Sequence, residues 1–179
     1  LFLRVNLLKV TPKDAINYLA EQGIDVEIHP KIATALIVKQ GKKKIRHSKI
    51  YQNGMVELQD ASSQMTICAL PPNLPGPFLD YCAGGGGKAL ALAAKFNTKI
   101  LAHDTKNWRM SDIPKRSNRA GAEIEIVSTN YLKNKSFGLV LADAPCSGSG
   151  AWRRDPAGKW LLKEATLMQL LKTQKEIIN

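Results

Sequence analysis

The feature that most restricts what this chain can fold into is a short apolar run that ends in four consecutive glycines. Phe78-Leu79-Asp80-Tyr81-Cys82 reads as a strand, Gly84-Gly85-Gly86-Gly87 cannot continue it, and Lys88 to Phe96 is an Ala- and Leu-rich helix. The rhythm then repeats. Lys99 to Asp104 is a strand ending on an acid, Trp108 to Ala120 a helix kinked at Pro114, Ile124 to Ser128 a third strand and Phe137 to Asp143 a fourth. Strands alternating with helices predict an α/β fold whose parallel sheet is joined by right-handed crossovers. The expected architecture is a doubly wound, nucleotide-binding sheet, followed by a helix from Ala165 to Ile178.

The first strand, the glycine turn and the acid after the second strand form one physical device. Glycine lets the backbone take positive φ and approach a ligand closely, and the N-terminus of the next helix offers unpaired N–H groups at the same place. Asp104, 16 residues beyond Lys88, is positioned to accept both hydroxyls of a ribose. Together these predict an adenosine-type cofactor and leave open whether it is a dinucleotide or S-adenosylmethionine. A purely structural tight turn is the competing account of the glycines. Gly84 and Gly86 supply the first half of G-x-G-x-x-G, and Ala89 stands where its last small residue is read.

Composition narrows the class. The 179 residues are 44% hydrophobic, and 26 Lys+Arg against 15 Asp+Glu leave a net charge of +11. A globular domain results, and it favours an anionic partner. The longest uncharged stretch, Ala61 to Leu79, contains Pro71, Pro72, Pro75 and Pro77, so a membrane helix is not expected. Cys68, Cys82 and Cys146 are odd in number and irregularly spaced, which suits neither a disulfide framework nor a metal site. No signal peptide pattern opens the chain; the cysteine usage makes a reducing cytoplasm the default expectation, and a monomer is expected.

Two zones are expected, a small α+β module over residues 1–59 and the Rossmann-like domain over residues 60–179. In the first, Leu1 to Asn6 reads as a strand, Thr11 caps a helix with Pro12 at its first position, and Val26 to His29 and Ala35 to Gln40 are short β-type runs. This zone carries 10 basic and 5 acidic residues and the densest basic run of the chain, Lys42, Lys43, Lys44 and Arg46. These four are candidate contacts to an anionic partner; a solvated loop is the alternative.

The fourth strand runs into Asp143-Ala144-Pro145-Cys146-Ser147-Gly148-Ser149-Gly150. An acid, a Pro-fixed turn and a thiol at the carboxyl edge of such a sheet can jointly address a pyrimidine. Cytosine carbon 5 becomes nucleophilic only after a thiolate adds at carbon 6 while an acid protonates or hydrogen-bonds ring nitrogen 3. A structural cysteine in a glycine-rich loop is the other reading.

With these motifs the chain resembles the RsmB/Sun (Fmu)-like ribosomal RNA (cytosine-5) methyltransferase family, over nearly its whole length. Leu3-Arg4-Val5-Asn6 with Thr11 to Gly23 is similar to the family's N-terminal RNA-binding module. Gln59 to Gln64 is similar to the helix leading into the catalytic domain, Asp80 to Lys88 to its cofactor loop, and Asp143 to Gly150 to its signature loop. Trp152-Arg153-Arg154-Asp155-Pro156 through Lys159-Trp160 is similar to the segment that follows.

The resemblance implies S-adenosylmethionine held by Cys82, Ala83, Gly84, Gly85, Gly86, Gly87 and Lys88, with Asp104 on the ribose and Arg109 and Asn130 near the adenosine. It implies that Asp143 meets both the cofactor end and the cytosine, that Arg153 and Arg154 contact RNA, most naturally ribosomal RNA, and that no metal takes part. Asn130 stands where the family usually has Asp, and Gly84-Gly85 where it usually has Ala-Pro, which predicts weaker cofactor binding and a looser loop. In the family the thiol that attacks carbon 6 lies in a Thr-Cys pair on a later strand, and the Pro-Cys cysteine serves product release. These 179 residues contain no Thr-Cys, so the sheet is expected to be incomplete at its C-terminal end and the chain to be an inactive piece of a longer enzyme; otherwise Cys146 is the nucleophile. A non-catalytic RNA-binding protein on a methyltransferase scaffold is the second reading, disfavoured because Gly84 to Gly87, Asp104 and Asp143 are all kept.

Overall fold

The computed structural model describes residues 1–152 and 155–178, which form two compact units, Leu1–Leu141 and Ala142–Asn179. The first unit contains two four-stranded sheets. In chain order the antiparallel sheet is built from β1 (Phe2–Val5), α1 (Pro12–Glu21), β2 (Val26–His29), β3 (Ile32–Val38), a 3-10 turn over Lys42–His47, α2 (Lys49–Gln52) and β4 (Val56–Leu58), with strand order β2-β3-β1-β4. Helix α1 starts as its sequence predicts. The Thr11 hydroxyl accepts from the Asp14 N–H and Pro12 occupies the first turn, where no amide donor is needed. Leu3, Val5, Leu19, Leu36, Ile50 and Val56 close the core beneath it. Strand β4, of 3 residues, and helix α2, of 4, are too short to show a period, and the sequence reading passed over both.

The basic run is a turn pinned from inside. Ile45 is 1% exposed within the same core, while Lys42, Lys43, Lys44 and Arg46 all face solvent. One buried apolar residue among four cations fixes the direction in which the cations point.

The second sheet is parallel. It follows α3 (Ala61–Cys68) as β5 (Phe78–Asp80), α4 (Gly87–Phe96), β6 (Ile100–Ala102), α5 (Ile113–Ala120), β7 (Ile124–Ile126), α6 (Thr129–Leu132) and β8 (Leu139–Leu141), in the order β7-β6-β5-β8. Phe78 stands level with Ile100 on one side and Leu139 on the other. Strand order therefore reverses between β5 and β8, which places a crevice at the carboxyl end of β5. Phe78, Leu92, Ile100 and the alanines of α4 fill the core, with Phe78 edge-on to Phe96 at 4.8 Å.

The helix expected over Trp108 to Ala120 differs in the structure. Trp108 to Ala120 is two elements, a 3-10 turn over Asn107–Met110 and then α5. Pro114 sits in the first turn of α5, where its missing N–H costs nothing, so the helix begins there and is not kinked. Trp108 is 73% exposed.

Polar side chains join the two sheets, those of Arg4, Asn6 and Gln64 buried and that of Lys9 exposed. The Asn6 amide donates to the carbonyls of Gly54 and Ala120, both at 2.8 Å, and Lys9 Nζ to those of Asn53 (2.9 Å) and Arg119 (2.7 Å). Arg4 donates to the Leu90 carbonyl of α4, and Gln64 of α3 to the Leu3 carbonyl. Arg4 and Asn6 of the Leu3-Arg4-Val5-Asn6 motif thus reach the helices of the parallel sheet, while Leu3 and Val5 fill the module's own core.

The second unit consists of the loop after β8, a 3-10 turn at Ser149–Ala151, α7 (Ala157–Leu161) and α8 (Glu164–Ile178). Gln174 of α8 donates to the Pro145 carbonyl at 2.7 Å, fixing the Pro-Cys loop to that helix. Among the described residues no helix is long and apolar enough to cross a membrane.

Candidate functional site

The loop after β5 is laced to the end of β6. His103 N–H donates to the Asp80 carbonyl, and Ala83 N–H to the His103 carbonyl, both at 2.9 Å. Gly86 N–H closes a tight turn on the Ala83 carbonyl at 2.8 Å. Gly86 has φ +77°, and a Cβ there would lie 2.8 Å from Ile113 Cγ1. This glycine is therefore required by backbone shape and by packing on α5, whatever binds above it. Gly86→Ala is expected to cost about 1–3 kcal/mol, read as a lower unfolding temperature; an unchanged one would contradict the geometry. Gly87 is different: the nearest atom to a Cβ there is the flexible end of Gln59, at 3.8 Å. A side chain there would make only ordinary contact with Gln59 and Arg116.

Asp104, 3% exposed, organises the centre. Its Oδ2 accepts from Gly84 N–H and from Arg109 Nη1, both at 3.0 Å, and its Oδ1 accepts from Lys106 N–H at 2.9 Å. Arg109 thus lies against the glycine loop, within 3.2 Å of the position of a Gly84 Cβ, with its side chain 41% exposed. The looser loop expected from Gly84-Gly85 is held at three points: Gly84 N–H on Asp104, Gly86 N–H on Ala83 and the Gly85 carbonyl on Arg116.

That last contact opens a network the sequence reading missed. Glu57 of β4, 2% exposed, accepts from Arg116 at 3.1 Å and from Arg119, both on α5. Arg116 passes the link to the Gly85 carbonyl, and Gln59, two residues after Glu57, donates to the Gly87 carbonyl at 3.1 Å. Arg119 also covers the Tyr51 ring, 4.4 Å from its centroid. Burial opposes its charge, but the hydrogen bond to Glu57 raises its pKa overall. Burial pushes the Arg4 guanidinium down to about 10, with Glu57 pulling the other way. The antiparallel module thereby holds the glycine loop at two carbonyls. The only local signal is an acid between two β-type apolar residues, Val56-Glu57-Leu58.

His103, 1% exposed, is a second omission. Its ring nitrogens lie 3.0 Å from the Tyr81 carbonyl and from Thr129 Oγ1, and the ring stacks on Tyr81 with centroids 4.7 Å apart. It ties the ends of β5 and β6 to the start of α6, which carries the exposed Asn130. Beside them a hollow of about 320 Å³ is lined by Met110, Pro114, Ile126 and Ser128.

The structure therefore brings together Ala83, Gly84, Gly85, Gly86, Asp104 and Arg109, with Cys82 and Lys88 half-buried at either side. Lys42, Lys43, Lys44 and Arg46 stand apart on the antiparallel module's turn. Asp143 and Cys146 are exposed residues of the second unit, and Arg153 and Arg154 lie outside the described residues. Among the described residues no cluster of His, Cys, Asp or Glu could hold a metal ion.

The parallel order β7-β6-β5-β8, with a glycine loop after β5 and a buried acid after β6, is that of the Rossmann-like, doubly wound folds that bind adenosine-type cofactors. The chain belongs to the 16S rRNA methyltransferase RsmB/F family, whose model matches residues 67–179. It is 32% identical to the probable ribosomal RNA small subunit methyltransferase B of Bacillus subtilis (strain 168), covering 99% of this chain and 41% of that protein. It is 30% identical to ribosomal RNA small subunit methyltransferase B of Yersinia pseudotuberculosis, covering 100% and 43%. The chain thus spans about two fifths of the length of these relatives. The crystal structure of PH0851 superposes with a TM-score of 0.90 at 26% identity, over 99% of this chain and 42% of that one. A methyltransferase homologue from Pyrococcus horikoshii superposes at 0.73 and 26% identity, over 83% and 51%.

Proposed function

We propose that the chain is the RNA-module and cofactor-binding part of an S-adenosylmethionine-dependent ribosomal RNA methyltransferase acting at cytosine carbon 5. The observation that carries the reading is Asp104, a buried carboxylate held in place at the sheet's carboxyl edge against the glycine loop. These residues fit an adenosine cofactor: Asp104 meets the ribose, with Arg109 displaced toward solvent, and Gly84 to Lys88 carry the methionine end over the first turn of α4. Arg109 and Asn130 line the adenosine side. S-adenosylmethionine, when bound, supplies the methyl group. Asp143 holds the cytosine ring at nitrogen 3, and Cys146 acts in product release. The part is a monomer that works without metal.

The 179-residue chain, lacking Thr-Cys, is expected to transfer no methyl group. The assay is tritiated methyl transfer to unmodified ribosomal RNA, beside a longer chain that includes a Thr-Cys strand. In the longer chain Cys146→Ala should trap a covalent RNA adduct on denaturing gels. Activity of the 179-residue chain that vanished with Cys146→Ala would make Cys146 the nucleophile.

RNA binding is assigned to Lys42, Lys43, Lys44 and Arg46, with Arg153 and Arg154. Phosphate contacts make the logarithm of affinity fall linearly with log salt, by about 0.7 per contact for single strands. Replacing Lys42, Lys43 and Lys44 with Ala should flatten that slope and weaken all RNAs alike. Unchanged binding would reduce the run to a solvated turn.

A further inference from the structure

We propose that the hollow between α1, the basic turn and α2 takes one unstacked base of a single-stranded RNA. The inference rests on the reading that the antiparallel module binds RNA, and it adds a place for a base to the contacts for phosphate. The hollow encloses about 920 Å³, toward the upper end of the roughly 300–1,000 Å³ found for small-molecule sites.

Its lining has two chemical parts. Lys43, Lys44 and Lys49 are exposed on the rim. Among the described residues none of the three has a carboxylate within ion-pair distance. Against these three cations the lining carries a single acid, Glu21. Beside them stands Tyr18, 44% exposed on α1, and the lining continues into the module's core at Ile50, 2% exposed. The shape is preformed: the Gln22 amide accepts from Lys49 N–H at 2.6 Å and donates to the Tyr18 carbonyl at 2.8 Å, so one side chain locks α1 to α2.

A ring next to an apolar surface, with unpaired lysines within phosphate reach, is how single-stranded nucleic acid is held. The base stacks while the cations follow the backbone. Paired bases in a duplex are not offered for such stacking, which selects a single strand. An acidic peptide would answer the lysines but has no use for the ring.

The test is fluorescence anisotropy with a short labelled single-stranded RNA, the same RNA with abasic ribose at its central positions, and a polyglutamate peptide. The intact RNA should bind about fivefold or more tighter than the abasic one. Tyr18→Ala should abolish that preference and leave abasic binding unchanged, Tyr18→Phe should retain it, and Lys43→Ala with Lys44→Ala should weaken both RNAs. Equal binding of the two RNAs, or a preference that survives Tyr18→Ala, overturns the base site and leaves the phosphate reading standing. Polyglutamate binding as tightly as the intact RNA overturns it in favour of an acidic protein partner. No salt-dependent binding of either RNA overturns both readings.

Discussion

Glu57→Gln is expected to destabilise the first unit by about 3–5 kcal/mol, the usual cost of removing one member of a buried ion network. The reason is the company Glu57 keeps. Arg116 and Arg119 are bonded to it with side chains only 25% and 19% exposed, and Arg4, 4% exposed, lies within its field. Arg116 and Arg119 would lose the carboxylate they are bonded to and Arg4 the attraction of its charge, and an amide cannot replace that charge. At the size of this chain such a loss lowers the unfolding temperature by about 6–20 °C. A second readout separates the site from general stability. Because Arg116 holds the Gly85 carbonyl, amide exchange over Gly84 to Lys88 should quicken in Glu57→Gln well below its melting temperature, whereas exchange in β2 and β3 should not. A change under 1 kcal/mol would mean that the network contributes little.

The second large effect is expected at Asp104. Asp104→Ala strips acceptors from two backbone N–H groups and from Arg109, and removes the carboxylate assigned to the ribose. Unpaired polar partners in a buried site cost about 1–3 kcal/mol, so cofactor affinity should fall by roughly one to two orders of magnitude. Arg109→Ala should cost less, because its side chain is 41% exposed and pairs with an Asp104 already held by two amides. Equal losses from the two substitutions would shift the main cofactor contact from the carboxylate to the guanidinium.

What could be read in advance followed chain proximity. Phe78 to Phe96 announces strand, turn and helix within 19 residues, and Asp104 ends the next strand, so the sheet and its acid were visible from local pattern. Pro114 was misjudged because a proline marks a helix start as readily as a kink, and nothing local separates the two. The Glu57 network could not be read, since its bonds join residues 59 and 62 positions apart and its strand is 3 residues long. The sequence showed why glycine stands at Gly86 only in part: positive φ was foreseeable, but the Ile113 side chain against it comes from a helix beyond the next strand. The same limit applies to Arg4 and Asn6. A polar residue in a strand reads as solvent-facing until another element covers it.

The central claim is that the glycine loop and Asp104 bind S-adenosylmethionine, and titration calorimetry on the 179-residue chain tests it most directly. The account predicts one site for S-adenosylmethionine or S-adenosylhomocysteine, weakened by Asp104→Ala, with no heat from NADH. Binding of NADH without S-adenosylmethionine would contradict it, as would S-adenosylmethionine binding indifferent to Asp104.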